Sequence, residues 1–314
     1  MSDVPAAVQP DGLDRPGLIT ARPVPHPWRW VALAVIAIVG AMILSSFLTN
    51  PKWDFPTALQ VMIQSPVLEG LWKGTIIGTL GAMAIGVGLG VPLAVMRLSS
   101  NPVLRGVSFV YTWFFRAIPR YVLLVVIGTG IGYLYSHFDI GIPFGQPLGL
   151  TWMTIDSYAV FGGIVGGIVG LGLSEAAYMA EIARSGIQSV DRGQAEAAEA
   201  LGMSSSKTMR RIVLPQAMRV IVPPTGNETI AMVKDTSLLS AIPVITELFF
   251  QTRAIGTRTL QIMPALVGAT AWYLIICSVL MVGQYYLERY FGRGFGGGPA
   301  KDDRAARPAG AGGA

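Results

Sequence analysis

Several apolar runs in this chain are long enough to cross a lipid bilayer, and they limit the possible folds more than any other feature. The run at residues 30–48 contains no charged residue. At about 1.5 Å per residue, a helix of that length crosses most of a hydrocarbon core about 30 Å thick. Charged residues make up only 13% of the chain, whereas soluble domains average about 25%. The sequence therefore predicts an all-α membrane protein.

The apolar runs predict six transmembrane helices. Five of them lie at about residues 30–48, 71–98, 103–135, 158–184 and 263–287. The remaining helix, fifth in chain order, begins near residue 217, and we expect Pro223 and Pro224 to interrupt it. Glycines at four-residue spacing in the second and fourth helices favour close packing between helix backbones.

The segments between these helices define the organisation of the chain. Residues 49–69 and 136–156 are predicted to be loops, and residues 238–262 a short lateral helix with a loop. The tails are predicted to be disordered, because residues 1–27 hold six prolines and residues 291–314 are rich in glycine. Residues 28–69 then form one helix with its external loop, and residues 70–290 form the main transmembrane domain.

Positive charge is distributed unevenly across these segments. Placing the N-terminus inside puts 16 of the 23 Lys and Arg residues on the cytoplasmic side, four outside and three within the helices. Loops rich in Lys and Arg stay in the cytoplasm. We therefore expect both termini to be cytoplasmic.

The longest polar interruption in the apolar part of the chain is residues 194–215, QAEAAEALGMSSSKTMRRIVLP, which we call the elbow. Its first half is rich in helix-forming Ala, Glu and Leu. Gly202 stands where a helix end needs a left-handed residue. Ser204, Ser205 and Ser206 can cap a second helix over residues 206–213. The pattern predicts a helix–turn–helix that is too polar to enter lipid.

The spacing of the elbow resembles the cytoplasmic coupling loop of ABC-transporter permeases. The motif EAA-x3-G-x9-I-x-LP is complete here, and its positions are Glu196, Ala197, Ala198, Gly202, Ile212, Leu214 and Pro215. The resemblance implies that these residues couple the chain to an ATPase subunit. The alternative is a surface hairpin held against its own protein.

Three further segments narrow the resemblance. They are residues 175–187 (EAAYMAEIARSGI), residues 223–238 (PPTGNE followed by KDTSL) and residues 115–119 (FRAIP). They are similar to segments of the polar amino acid uptake family, the histidine/glutamine/glutamate-type permeases with the MetI-like fold. The likeness covers about residues 70–290, the five-helix core of that family, and leaves the N-terminal helix as an addition. FRAIP departs from the family's FRGTP, and the segment after it, RYVLL at residues 120–124, stands where the family usually has apolar residues and a glutamine. Arg120 is then a second arginine within this predicted helix, and we expect it to alter the substrate preference.

The resemblance implies an ATP-driven importer that works by alternating access. Its partners would be ABC ATPase subunits, an extracytoplasmic amino-acid-binding protein and a second permease subunit, identical or paralogous. The chain has no G-x-x-x-x-G-K-[ST] motif for binding phosphates. It is therefore expected to bind no cofactor itself, with ATP and Mg in the partner ATPase.

Polar residues within the predicted helices mark a candidate substrate path. Ionisable groups at mid-membrane depth usually face a cavity or a partner. Glu228 can accept a substrate ammonium, Asn227 can donate and accept, and Arg116 can bind a carboxylate. Tyr178 can line the path or pack in the core. The alternative for Arg116 and Glu228 is an ion pair that holds helices together.

Other charged residues favour gating or helix pairing over substrate contact. Lys234 and Asp235 are adjacent near the outer end of their helix, where an internal ion pair or a gate is expected. Glu181 and Arg184 are three positions apart on one helix and can pair.

Two other classes of function are alternatives to an ATP-driven importer. An ion-gradient-driven secondary transporter of small polar solutes would suit broken helices and intramembrane charges, but it leaves the elbow unexplained. A membrane-embedded enzyme lacks support in the sequence. His26 and His137 are far apart, and Cys277 is the single cysteine, so neither a metal site nor a disulfide is expected.

Overall fold

The computed structural model describes residues 26–131, 134–143, 145, 147, 149–242 and 244–292. Most of the two tails predicted to be disordered lies outside these residues. The chain divides into two units, Met1–Pro51 and Lys52–Ala314, which we describe separately.

The first unit contains one helix, α1 (Pro27–Thr49). Its start is favoured by a proline in the first turn, where the missing N–H would have no helical partner. None of its residues is buried, and the helix is long and apolar enough to cross a membrane. The helix predicted over residues 30–48 is therefore present.

The loop predicted over residues 49–69 is mostly helical, so that prediction is wrong. It contains a 3-10 turn (Pro51–Trp53), then α2 (Phe55–Met62) and the first turns of α3 (Ser65–Leu98). Asp54 caps α2 because its carboxylate accepts the Thr57 amide at 3.2 Å. Prolines in the first turns of both helices favour their starts.

The second predicted transmembrane helix is the long helix α3, and it packs along α7 (Gly163–Gln188), the fourth. Glycines make this approach possible. A Cβ at Gly86 would lie 2.6 Å from Cγ of Glu175, and one at Gly90 would lie 2.5 Å from Cβ of Met179. The glycine spacing thus brings the two backbones together.

The third predicted helix is two helices rather than one. α4 (Pro102–Ala117) and α5 (Arg120–Ile131) meet at a bend of 101°. Pro119 accounts for the break, because proline disfavours a helical residue before it, and Ile118 is extended with φ −91° and ψ 129°. The bend makes Arg120 the first residue of α5.

A small β-hairpin replaces part of the loop predicted over residues 136–156. β1 (His137–Gly141) pairs antiparallel with β2 (Thr151–Asp156). The strands are rich in β-branched and aromatic residues, which favour extended structure. The all-α prediction omitted this hairpin. A short helix, α6 (Ser157–Phe161), leads from it to α7.

The elbow follows α7. It comprises α8 (Arg192–Ala200), α9 (Ser205–Thr208) and a π-helical segment (Met209–Val213) that runs into α10 (Leu214–Asp235). α10 continues through Pro223 and Pro224, so the predicted interruption is wrong. Two side chains donate hydrogen bonds to backbone carbonyls beside these prolines. Thr225 donates to the Ile221 carbonyl at 2.8 Å, and Gln284 donates to the Pro223 carbonyl at 2.8 Å.

The chain ends in two helices. α11 (Leu248–Thr259) is the lateral helix expected within residues 238–262, and α12 (Ile262–Phe291) is the last transmembrane helix. A buried apolar core joins α3, α5, α7 and α10 with the segment after it, and it includes Met83, Leu124, Leu171, Met179, Met232 and Leu239.

Within the described residues, four helices are long and apolar enough to cross a membrane, or five if the bent pair α4–α5 is one span. α10 is long enough at 22 residues. It is not in this set, because its prolines and polar residues, among them Arg219, Asn227 and Glu228, make it less apolar than the other long helices. The structure therefore supports a mostly helical membrane protein, and the count of six stays a prediction.

Candidate functional site

The first helix of the elbow is α8, which begins two residues before the elbow, at Arg192, and whose start is fixed by a side-chain cap. The Asp191 carboxylate accepts the Gly193 amide at 2.7 Å, which satisfies one of the amides that a helix start leaves without a partner. Glu196 and Ala197 are exposed, whereas Ala198 is buried. α8 therefore packs on the protein through Ala198 and presents Glu196 and Ala197 outward.

Gly202 ends α8 in a left-handed conformation, with φ +75°. Its amide donates to the Glu199 carbonyl at 2.9 Å, and the Met203 amide donates to the Ala198 carbonyl at 3.0 Å. These two bonds form a Schellman motif, which satisfies carbonyls at the helix end. Among the residues that the structure describes, a Cβ at Gly202 would meet nothing within 4 Å. Backbone conformation rather than crowding therefore favours glycine here.

The second half of the elbow is continuous with α10. Ser204 is the N-cap residue of α9, but its side chain makes no capping hydrogen bond, so this part of the serine prediction is wrong. Ile212 is half-buried, whereas Leu214 and Pro215 are exposed. Because α9, the π-helical segment and α10 follow without a break, one helical rod joins the elbow to Asp235.

At the far end of this rod lies a group of charged side chains that we call the central charge cluster: Arg120, Glu175, Glu228 and Asp235. Arg120 bonds through Nη2 to Glu175 Oε2 at 2.8 Å and through Nη1 to Asp235 Oδ2. Glu228 Oε2 lies 3.9 Å from Nη2 of Arg120. One guanidinium on α5 therefore ties α7 and α10 together.

Tyr178 forms one wall of the cluster. It stands three residues after Glu175 on α7, which places both side chains on one helix face. The guanidinium carbon of Arg120 lies 4.7 Å from the ring centre and that of Arg116 lies 5.6 Å from it. Both distances suit cation–π contact. The bend at Pro119 thus brings two arginines to one tyrosine ring.

A cavity of about 450 Å³ opens between α4 and α7 beside this ring. Trp113, Arg116, Tyr178 and Glu181 are among the residues that line it. Arg116 is exposed and forms no ion pair within the described part of the chain. Its guanidinium is therefore available to a carboxylate that enters the cavity.

The structure separates the residues predicted for the substrate path. Arg116 and Glu228 do not pair with each other, and the guanidinium near Glu228 is that of Arg120. Asn227 is exposed on α10. The candidates therefore divide between the cavity, with Arg116 and Tyr178, and the central charge cluster, with Glu228.

The structure also shows which partners the residues predicted to gate or to pair helices have. Asp235 pairs with Arg120, and its neighbour Lys234 is exposed. Glu181 and Arg184 form an ion pair within α7, with Oε2 and Nη2 2.7 Å apart. Asp235 therefore links two helices, whereas the Glu181–Arg184 pair braces one.

Sequence reasoning gave Glu175 no role of its own, and it noted Arg120 only as a second arginine within a predicted helix that bears on substrate preference. Glu175 is fully buried, with an exposed fraction of 0%. The available signal was the departure of Arg120 from the family pattern directly after the helix-breaking Pro119. An arginine that begins a helix inside a membrane needs acidic partners, and Glu175 is one of the few acidic residues at a comparable depth.

A second buried carboxylate lies where the lateral helix begins. Glu247 caps α11 by accepting the Phe250 amide at 2.9 Å, and it accepts hydroxyls from Thr75 at 3.2 Å and Tyr273 at 2.6 Å. Burial raises the pKa of the Glu247 carboxyl above its usual range, although these hydrogen bonds oppose the shift. This group, which we call the lateral anchor, holds α11 against α3 and α12.

Comparison with known proteins gives consistent matches. The family model described as "Binding-protein-dependent transport system inner membrane component" matches residues 86–293. The chain is 46% identical over 280 residues to the arginine transport system permease protein ArgU of Corynebacterium glutamicum, covering 89% of this chain and 85% of that protein. It is 35% identical to the L-cystine transport system permease protein TcyB of Bacillus subtilis, covering 73% of this chain and 88% of that protein.

Solved structures agree with the sequence matches. The chain is similar to one from a structure described as an amino acid ABC transporter with histidines, with a TM-score of 0.58 and 30% identity over 72% of this chain and 94% of that one. A chain of the MetNI methionine ABC transporter shares the fold, with a TM-score of 0.53 at 18% identity over 74% of this chain and 100% of that one. Among the described residues, no group of three His, Cys, Asp or Glu side chains is placed to hold a metal ion.

Proposed function

The chain belongs to the family of binding-protein-dependent transport system inner membrane components, and we infer that it is the permease subunit of an amino acid ABC importer. Its relatives are amino acid permeases in name, and the family model matches two thirds of the chain. The subunit is not itself an enzyme, because ATP hydrolysis belongs to a separate ATPase subunit. It is a multi-pass protein of the bacterial inner membrane.

We propose that the cargo is a cationic amino acid. One observation carries this proposal: the central charge cluster holds three carboxylates against a single guanidinium. A site with surplus negative charge attracts cations. The name of the relative with 46% identity, an arginine permease, supports the same cargo.

The two ends of such a cargo have separate partners beside Tyr178. Arg116 lines the cavity and is exposed, so it suits the α-carboxylate. Glu228 has a side chain 28% exposed and only a loose contact with Arg120, so it suits the cationic end. Asn227, exposed on the same turn, adds a donor and an acceptor.

We further propose that the chain crosses the membrane six times with both termini in the cytoplasm. α10 is the crossing that completes the six, fifth in chain order, because its two acids, Glu228 and Asp235, face Arg120 inside the protein rather than lipid. The excess of Lys and Arg on one side supports this orientation. The elbow then faces the cytoplasm.

In this arrangement the elbow docks on the ATPase. Glu196, Ala197 and Gly202 are exposed, and the neighbouring Leu201 has 83% of its surface exposed, which suits a protein partner. ATP and Mg bind in that ATPase, and ATP binding moves the elbows to produce alternating access. An extracytoplasmic binding protein delivers the cargo, and a second permease subunit, identical or paralogous, completes the path.

The test is uptake of radiolabelled arginine by proteoliposomes that contain the permease with its ATPase and binding protein. We expect uptake to require ATP on the ATPase side and to resist an uncoupler. Excess lysine should compete, whereas citrulline, which has nearly the shape of arginine without its charge, should not. Uptake that survives without ATP and collapses with the uncoupler would contradict the importer and support an ion-driven carrier.

A further inference from the structure

A guanidinium group of the protein itself occupies the centre of the acidic cluster. Arg120 bonds to Glu175 and Asp235 through different nitrogens and lies over the ring of Tyr178. Two carboxylates and an aromatic face are the groups that bind a free guanidinium best. The cluster is therefore a complete guanidinium site that is already filled by an arginine of α5.

The site has one fixed wall and one open wall. Glu175 is fully buried, and Gly86 of α3 lies directly against its side chain. The side chains of Glu228 and Asp235 are 28% and 30% exposed. An arriving cation therefore meets Glu228 and Asp235 first and cannot reach Glu175 without passing Arg120.

The three carboxylates of the cluster offer more hydrogen-bond acceptor atoms than Arg120 occupies. Glu175 Oε1 is buried and has no hydrogen-bond partner among the residues that the structure describes, although Oε2 is bound to Arg120. Glu228 approaches Arg120 only to 3.9 Å, beyond normal hydrogen-bond length. These unused acceptor atoms stand beside the aromatic face of Tyr178, and carboxylates with an aromatic face suit an organic cation.

We propose that Arg120 is a specificity residue that competes with the cationic group of the cargo for Asp235 and Glu228. This inference rests on the proposed cationic cargo. The cargo pairs first with Glu228, then replaces Arg120 at Asp235, and Arg120 remains bound to Glu175. A neutral amino acid cannot make this replacement, because leaving Asp235 without a cation is unfavourable.

The exchange also changes which helices are tied together. The Arg120–Asp235 bond joins α5 to α10, and the Arg120–Glu175 bond joins α5 to α7. Cargo binding therefore releases α10 from α5 and leaves α5 on α7. Because α10 is continuous with the second half of the elbow, the release is transmitted along α10 to the elbow, which docks on the ATPase.

The experiment measures direct arginine binding to the permease–ATPase complex in nanodiscs without the binding protein. The first variant is Arg120→Gln with Glu175→Gln, which removes one charge of each sign and leaves Asp235 and Glu228 unoccupied. We expect arginine to bind at least about tenfold more tightly, the usual scale for removing a charged hydrogen-bonding competitor. Citrulline binding should not change. Arg253→Gln removes an exposed arginine of α11 outside the cluster and is the matched control.

Arg120→Lys is the second variant and keeps the positive charge. A lysine cannot span Glu175 and Asp235 with the fork of a guanidinium, so arginine should bind more tightly here too, by a smaller factor. Unchanged or weaker arginine binding in the double variant, or in Arg120→Lys if the double variant does not assemble, would overturn the proposal. Arginine-stimulated ATP hydrolysis by the wild-type transporter with its binding protein is measured separately. Its absence would count against the proposed function rather than against the role of Arg120.

Discussion

Gly202 shows how much a single backbone conformation contributes to the elbow. Its φ of +75° lies in a region where residues with a Cβ are strained. The motif predicted this conformation correctly, because a helix end followed by a serine-rich turn is a local signal that needs no distant partner.

We predict that Gly202→Ala destabilises the end of α8 by about 1 kcal/mol. No atom of the described part of the chain lies within 4 Å of the new Cβ, so we expect the whole effect to come from the backbone. Amides of residues 201–203 should then exchange hydrogen about fivefold faster, the factor that corresponds to about 1 kcal/mol. Gly283→Ala is the control, because its Cβ also meets nothing within 4 Å but its backbone is helical. Equal exchange rates in Gly202→Ala and the wild type would contradict this account.

The buried carboxyl of Glu247 predicts how the stability of the folded protein depends on pH. Because burial raises its pKa in the folded protein, the folded state holds this proton more tightly than the unfolded state does. The contribution of Glu247 to stability is therefore greatest at low pH. It falls as the pH rises from the unfolded pKa, about 4.3, through the raised folded pKa.

The measurement is the unfolding midpoint of the wild type and of Glu247→Gln across this pH range. Gln cannot titrate, so the difference between the two proteins should shift in favour of the variant as the pH rises. Any part of the midpoint difference that is the same at every pH reports the weaker hydrogen bonds of Gln, not the titration of Glu247. A difference that does not vary with pH would show that Glu247 has the same pKa in both states.

At the scale of helices, the sequence predicted most elements but not how they bend. Pro119 breaks α4 from α5, whereas Pro223 and Pro224 leave α10 intact. The same residue type has opposite outcomes: Ile118 before Pro119 is extended, whereas α10 stays helical although Pro223 and Pro224 remove the amides that would bond to the carbonyls of residues 219 and 220. Gln284 of α12 packs beside this stretch and donates to the Pro223 carbonyl. Gln284 is distant in the sequence, so neither periodicity nor proline count can identify it.

The packing of α3 against the lateral anchor gives an element-scale prediction. A Cβ at Gly74 would overlap the backbone of Thr246 and Glu247, which cannot move away as a flexible side-chain end can. We expect Gly74→Ala to destabilise the protein by roughly 1–3 kcal/mol, the usual range for overpacking. Gly88→Ala on the same helix meets nothing within 4 Å and should have no such effect. Similar unfolding midpoints for the two variants would mean that α11 is not held tightly against α3.

At the scale of the whole molecule, the candidate site was only partly predictable. The elbow is a continuous stretch, so its residues could be named from spacing alone. The central charge cluster joins residues separated by 55 and 115 positions, and only the folded bend at Pro119 decides that Arg120 rather than Arg116 enters it. Glu228 and Asp235 could therefore be named from the sequence, but their partner Arg120 could not be identified without the fold.

The coupling role of the elbow belongs to the complete transporter, and Glu196→Lys tests it. The Glu196 side chain is exposed on α8, so reversing its charge should leave the helix folded and change only the surface offered to the ATPase. We expect the complex to assemble less well or to lose most of its arginine-stimulated ATP hydrolysis, because a like or unpaired charge in a docked interface is unfavourable. Gln194→Lys places the same residue two positions earlier, on the opposite side of α8, where it is also exposed. If both variants hydrolyse ATP as the wild type does, α8 is not the docking surface. If only Gln194→Lys fails, α8 docks through its other side.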